Sequence, residues 1–137
     1  MANIETTILR EVMNNDEFMR KVIPFLKSQY FDQAHAFVFK EMAKFVGKYN
    51  KMPNKEALVI ELEKNENLHG ELSNEVYTLV DNLSPNENVN QDWLVESAEK
   101  WCQDRAVYLA IMESIQIIDG KHKSLTPNAL PDLLRDA

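Results

Sequence analysis

The sequence predicts an all-α protein: a globular bundle of short helices over residues 1–84, then a helical hairpin over 90–137 made of a long helix and a short return helix. Three observations predict it. Turn-making residues are scarce, with three glycines and five prolines in 137 residues, about half the typical usage of roughly 12%. Apolar residues recur at spacings of three and four rather than two. Asn, Asp and Ser stand where those apolar runs begin, as helix N-caps do. The length fits a single domain with a real core.

Ile4, Ile8, Leu9, Val12 and Met13 lie on one face of a first helix over 4–13. Asn14-Asn15-Asp16 interrupts it, and Asp16 is placed to cap a second helix carrying Phe18, Met19, Val22 and Ile23. Pro24 forces a new start, because it lacks the N–H of an interior turn but suits a first one. Phe25, Leu26, Tyr30 and Phe31 follow with the apolar density of a core corner. Asp32 is placed to cap a helix over 33–49, with Ala34, Phe37, Val38, Met42, Phe45, Val46 and Tyr49 facing inward. The turn 50–54 ends on Asn54, a cap for a helix over 55–65 that buries Leu58, Val59 and Leu62. After a polar link at 65–70, Ser73 is placed to cap a helix to Leu83, with Leu72 and Tyr77 as a hydrophobic staple.

Residues 84–90 hold turn formers with Val89 as their one apolar member, and they mark the internal boundary. The long helix follows over 91–119. Leu94, Ala98, Trp101, Arg105, Tyr108, Met112 and Ile115 recur in it at alternating spacings of four and three, the pattern of a coiled-coil seam. Val95, Cys102, Leu109 and Ile118 widen the apolar face, and Asp119-Gly120 ends the helix. Such a helix is roughly 43 Å long, more than a domain of this size needs internally. Residues 121–127 form a loop, and 128–137 a last helix with Leu130, Leu133 and Leu134. The chain stops within that pattern, which we read as an excised piece.

Charge and composition restrict what such a chain does. Fifteen basic residues against 22 acidic give a net charge of −7, the opposite of the basic footprint of an autonomous duplex binder. Protein partners come first. Cys102 is the single cysteine, so neither an internal disulfide nor a thiolate zinc cluster is available. The first residues carry no basic and apolar leader, and no apolar run reaches the ~18 residues of a membrane span. The expectation is a soluble, cytoplasmic protein with no membrane partner.

Residues that carry chemistry are few. Gly47, Gly70 and Gly120 are too dispersed for a phosphate-binding loop. Glu66 and His69 have the spacing of half a di-iron site, but only one copy exists, beside Gly70 in a predicted loop. His35 reads as a surface or partly buried residue, His122 as a solvated loop residue, and Cys102 as a buried inert thiol. No catalytic, cofactor-binding or metal-binding residue is expected in this chain. Lys40, Lys44, Lys48, Lys51 and Lys55 form a basic stripe. It is either a solvated helix face or a contact surface for an acidic partner or passing nucleic acid. The seam of the long helix is either internal core or partly the contact surface of a second chain. In the latter case Trp101, Arg105, Tyr108, Leu109, Met112, Ile115, Leu133 and Leu134 are the interface, with Glu99, Asp104 or a residue of the second chain as the carboxylate Arg105 needs.

Several segments in order resemble a known family. Val22-Ile23-Pro24-Phe25-Leu26 followed by Gln29-Tyr30-Phe31 is similar to its short apolar helix leading into an aromatic pair. His35 through Tyr49 is similar to the next helix, and Lys51-Met52-Pro53-Asn54-Lys55-Glu56-Ala57-Leu58 to the proline loop after it. Trp93-Leu94-Val95 and Glu99 through Ala106 resemble the start of its long hairpin helix, including the arginine at Arg105. Ala129-Leu130-Pro131-Asp132-Leu133-Leu134-Arg135 resembles the end of its N-terminal domain. The resemblance is to the N-terminal domain of DnaB-like replicative DNA helicases, in the T-even-type phage branch that works with its own primase.

That resemblance implies a hexameric, ATP-driven enzyme moving 5′→3′ on single-stranded DNA at a phage replication fork, in the host-cell cytoplasm. Its N-terminal domains pair into a collar, a trimer of dimers, that engages primase. Catalysis, with ATP and Mg, belongs to a RecA-like domain absent from this chain, and single-stranded DNA is met only through the full-length ring. The alternative is a stand-alone small helical phage protein that binds and regulates a host protein.

Overall fold

The computed structural model describes residues 3–86, 88–120 and 127–136. Among them it is all helical, with seven α-helices and no strand. None of these helices is long and apolar enough to cross a membrane.

α1 (Ile4–Asn14) begins at Asn3, whose side-chain oxygen accepts the N–H groups of Glu5 at 2.8 Å and Thr6 at 3.3 Å. α2 (Asp16–Val22) is capped by Asn15, which accepts the Phe18 N–H at 3.1 Å, and not by Asp16. Asp16 instead opens the helix, where its charge faces the positive dipole end and pairs with Arg20 at 2.9 Å. Pro24 starts no helix. The Phe25 and Leu26 N–H groups both return to the Val22 carbonyl, and this turn places Leu26 inside while leaving Phe25 54% exposed. The expected core corner therefore loses Phe25 and keeps Leu26, Tyr30 and Phe31.

α3 (Gln33–Tyr49) follows Asp32, whose side chain makes no cap bond. Glu5 of α1 supplies the anchor by accepting the Asp32 N–H at 2.7 Å. Val38 and Met42 are buried as the spacing predicts, and so are Phe39, stacked 5.1 Å from Phe31, and Glu41. The buried Glu41 carboxylate accepts from Asn65 at 2.8 Å, which offsets part of the penalty that made an inward acid unexpected. Tyr49, expected inward, is 53% exposed. A last-turn side chain leans back along its own helix, and Tyr49 rests on Phe45 at 4.6 Å.

α4 (Lys55–Glu63) is capped as expected, Asn54 accepting the Ala57 N–H at 2.8 Å. α5 (Gly70–Asp81) starts three residues before Ser73. Gly70, at φ +67°, makes a left-handed step that a side chain would resist. The helix then takes in Leu72 and Ser73, so the expected cap and staple do not form.

Two compact units result, Met1–Ala98 and Glu99–Ala137. In the first, α3 packs on α1, α4 and α5, and α1 on α2. The centre of its core is apolar: Ile8, Leu9 and Val12 of α1, Phe18 of α2, Leu58 and Leu62 of α4 and Val76 of α5 are essentially sealed from water, with the carboxylates of Glu11 and Glu41 buried beside them. Asn14 donates to the carbonyls of Arg10 and Leu83, at 2.9 and 2.8 Å, and so ties the end of α1 to the residues after α5. α6 (Gln91–Ile118) contributes Leu94 and Ala98 to this first unit. The second unit holds the rest of α6 and α7 (Leu130–Arg135), which follows a 3₁₀ turn at Pro127–Ala129. α7 is shorter than the predicted 128–137 because Pro131, lacking an N–H, fits only a first turn. Gly120 ends α6 at φ +72°, its N–H returning to the Ile117 carbonyl at 3.1 Å. Of the predicted loop 121–127, residues 121–126, with His122, lie outside the described residues, and Pro127 opens the 3₁₀ turn.

Candidate functional site

The predicted seam of α6 divides in two. Leu94 and Ala98 are core of the first unit. Trp101 and Arg105 are half-buried, whereas Tyr108, Met112 and Ile115 are all more than two-fifths exposed. Ile111 and Ile118, also exposed, complete a stripe at 108, 111, 115 and 118, with Met112 beside it. About a third of a turn round the helix from this stripe lie Ala110, Ser114 and Ile117, all buried. The Ser114 hydroxyl donates to the Ala110 carbonyl at 2.7 Å, so its burial leaves no unmet polar group. From Tyr108 to Ile118, about 15 Å, α6 thus carries a covered side and an uncovered apolar side.

The charged member of the seam also meets an aromatic ring. The Arg105 guanidinium lies 4.8 Å over the ring of Tyr108, a cation–π contact. Asp104, one of its expected partners, pairs with Lys100 at 2.8 Å. Leu109 and Leu133 are half-buried and Leu134 is half-exposed. Two members of the stripe stand outside the predicted contact set: Ile118, which the sequence places only as widening the apolar face, and Ile111. A strict alternation of four and three runs from Tyr108 to Met112 and passes over it, although Ile111 is three residues from Tyr108 and four from Ile115.

The basic stripe is fully at the surface: Lys40, Lys44, Lys48, Lys51 and Lys55 are all exposed. Lys55 pairs with Asp81 at 3.3 Å, and Lys48 Nζ lies 5.3 Å from the centre of the Tyr49 ring.

An open cleft of about 690 Å³ lies between the start of α3 and α5, with Thr6, His35, Asn74, Thr78 and Asn82 among its walls. At its rim the side chains of Glu5, Asp32 and His35 bring one ligand atom each within 4.8 Å of one another. Their neighbours give this cluster a structural role. Glu5 holds the Asp32 N–H, and Thr6 Oγ1 sits 2.9 Å from His35 Nε2, so α1 is fastened to the start of α3. The positive end of α3 favours the two carboxylates there and opposes an added cation. Burial lowers the His35 pKa from 6.5, with the nearby Asp32 charge acting the other way. His69 and Glu66 are both exposed, with His69 at the start of α5. Cys102 is half-buried, and burial, then the Glu99 charge, push its thiol up to about 11, the inert condition the sequence led us to expect.

No family model matches the chain. It is 30% identical over 139 aligned residues to a DnaB-like replicative helicase of Enterobacteria phage T4, an alignment that takes in 95% of the chain and 29% of that relative. The chain therefore spans less than a third of the relative's length.

Proposed function

The chain is homologous, along nearly all of its own length, to a DnaB-like replicative helicase, and from that premise we propose that it acts as the N-terminal assembly and primase-docking module of such an enzyme. The observation that carries the reading is the uncovered stripe Tyr108, Ile111, Ile115 and Ile118 on α6. Isolated apolar side chains at a surface mean little, but a contiguous row at heptad-like spacing marks a contact site.

Two copies of this stripe fit one another by symmetry. In a two-fold pair each α6 supplies the same row to its partner, and knobs spaced three and four apart enter the holes of the facing helix. The Arg105–Tyr108 contact holds the ring at the edge of that row. Pairing in this way builds dimers, and three dimers give the hexameric collar on which primase docks. Unwinding 5′→3′, with ATP and Mg, is then the work of a RecA-like domain elsewhere in the parent protein, and the assembly operates in the cytoplasm of the host cell.

Sedimentation equilibrium of the 137-residue chain tests the reading, with co-purification of the primase from the same replication system as the second measurement. The expected result is a concentration-dependent dimer that retains primase. A chain that stays monomeric at high micromolar concentration and captures no primase overturns it, and favours a stand-alone regulator of a host protein.

A further inference from the structure

We propose that the outer face of α3 and the turn just after it form a contact surface for single-stranded nucleic acid, made by Lys40, Lys44 and Lys48 around Gly47 with Lys51 of the turn, and with Tyr49 as a stacking platform. The surface stands on charge and shape and does not depend on the assembly reading.

In a chain of net charge −7, α3 is an exception. Its single acidic residue, Glu41, is buried and bonded to Asn65, so the charged side chains on its solvent side are all lysines. Lys40, Lys44 and Lys51 take part in no ion pair among the described residues, unlike Lys55, which Asp81 occupies. Positive charge left uncompensated in an acidic protein is what a phosphate backbone needs.

Gly47 is the second observation. On a helical wheel it falls among the lysines of α3, three residues from Lys44 and seven from Lys40, while Lys51 stands two residues past the helix end. Glycine is the poorest helix former after proline, and nothing internal requires it here: it is exposed, and a Cβ would meet no atom within 4 Å. Its lack of a side chain leaves bare backbone between the lysines, where a phosphate can come close to the helix. Tyr49 supplies the third. Its ring is half in water beside Lys48 and is backed by Phe45, the combination of aromatic face and cation on which unpaired bases stack.

These features select a single strand over the other polyanions. Duplex DNA hides its base faces and carries one charge per about 1.7 Å of axis, a dense rod that the acidic remainder of the chain repels. An acidic peptide has the charge but no base to place on Tyr49. A flexible strand touches the patch alone, with about four phosphates.

Fluorescence anisotropy of labelled oligodeoxythymidylate with the whole chain at low salt tests this. Binding is expected below about 100 μM, with a log–log salt slope of about −3 from four lysines on a single strand. Lys44→Glu with Lys48→Glu should weaken it at least about tenfold, whereas the same charge change at Arg20 and Lys21 on α2 should cost less than about threefold. Tyr49→Ala should cost about fivefold or more on the oligonucleotide and nothing on an abasic strand of equal length. Gly47→Leu should weaken binding without lowering the melting temperature. No binding at about 100 μM, equal losses for the two charge reversals, an unaffected Tyr49→Ala, or poly-glutamate bound as tightly as the oligonucleotide would each overturn the proposal, the last pointing to an acidic protein.

Discussion

Replacing Met112 by aspartate separates a contact surface from internal core, because the two assignments predict opposite phenotypes. In a single chain Met112 is 41% exposed. Full burial of such a side chain is worth about 1.5–3 kcal/mol, so losing its covered part costs about 1–2 kcal/mol, with ~0.5 kcal/mol more from the lower helix propensity of Asp. That leaves a domain of ordinary stability folded. In a two-fold pair the same substitution buries two carboxylates among apolar side chains, and an unpaired buried charge costs about 3–5 kcal/mol. Every 1.4 kcal/mol is a factor of about ten in Kd, so dimerisation should weaken by more than about 100-fold. Light scattering and far-ultraviolet circular dichroism, measured together, should report a halved mass with unchanged helicity. Ile117→Asp on the covered side, where the wild-type residue is 2% exposed, should instead lose helicity. An unchanged mass for a folded Met112→Asp would refute the contact surface, and unfolding of that variant would refute the assignment of the two faces.

Other consequences follow from single residues. Leu94→Ala, at a fully buried position, should destabilise the first unit by about 2–5 kcal/mol, read by chemical denaturation. Asn54→Ala removes the 2.8 Å cap on the Ala57 N–H and should cost about 0.5–2 kcal/mol in the same assay. His35 has a folded pKa below its ordinary 6.5 because of burial. The unfolded chain therefore binds the proton more readily, and the stability this residue gives above pH 6.5 is lost as pH falls through 6.5 toward the folded value. His35→Gln should flatten that part of a melting-temperature profile, and an identical slope would remove His35 as its source. With a thiol near 11, Cys102 is a thiolate at pH 8 in only about one molecule in a thousand, so iodoacetamide should label it far more slowly in the folded chain than in urea.

Much of the architecture was legible because it is local. Apolar residues three and four apart, the asparagine at 54 and the glycine at 120 act within one turn of chain, and α1, α3, α4 and α6 stand close to where those signals put them. Local signals failed where two of them competed. Asn15 outcompeted Asp16 for one cap, and Gly70 opened α5 before Ser73 was reached. The candidate surface was half legible: spacing identified a row on α6, but periodicity is the same for a row that meets its own chain and one that does not. Only tertiary packing divided that row, burying Leu94 and Ala98 while leaving Tyr108, Met112 and Ile115 largely in water. Packing likewise decided the exceptions to hydropathy. Glu41 went inside because Asn65, 24 residues away, could bond it, and Phe25 stayed outside because a turn gave its place to Leu26. Sequence determines what each turn of chain prefers; which side of it meets water is settled by partners distant along the chain, and these exist only once the fold has brought them near.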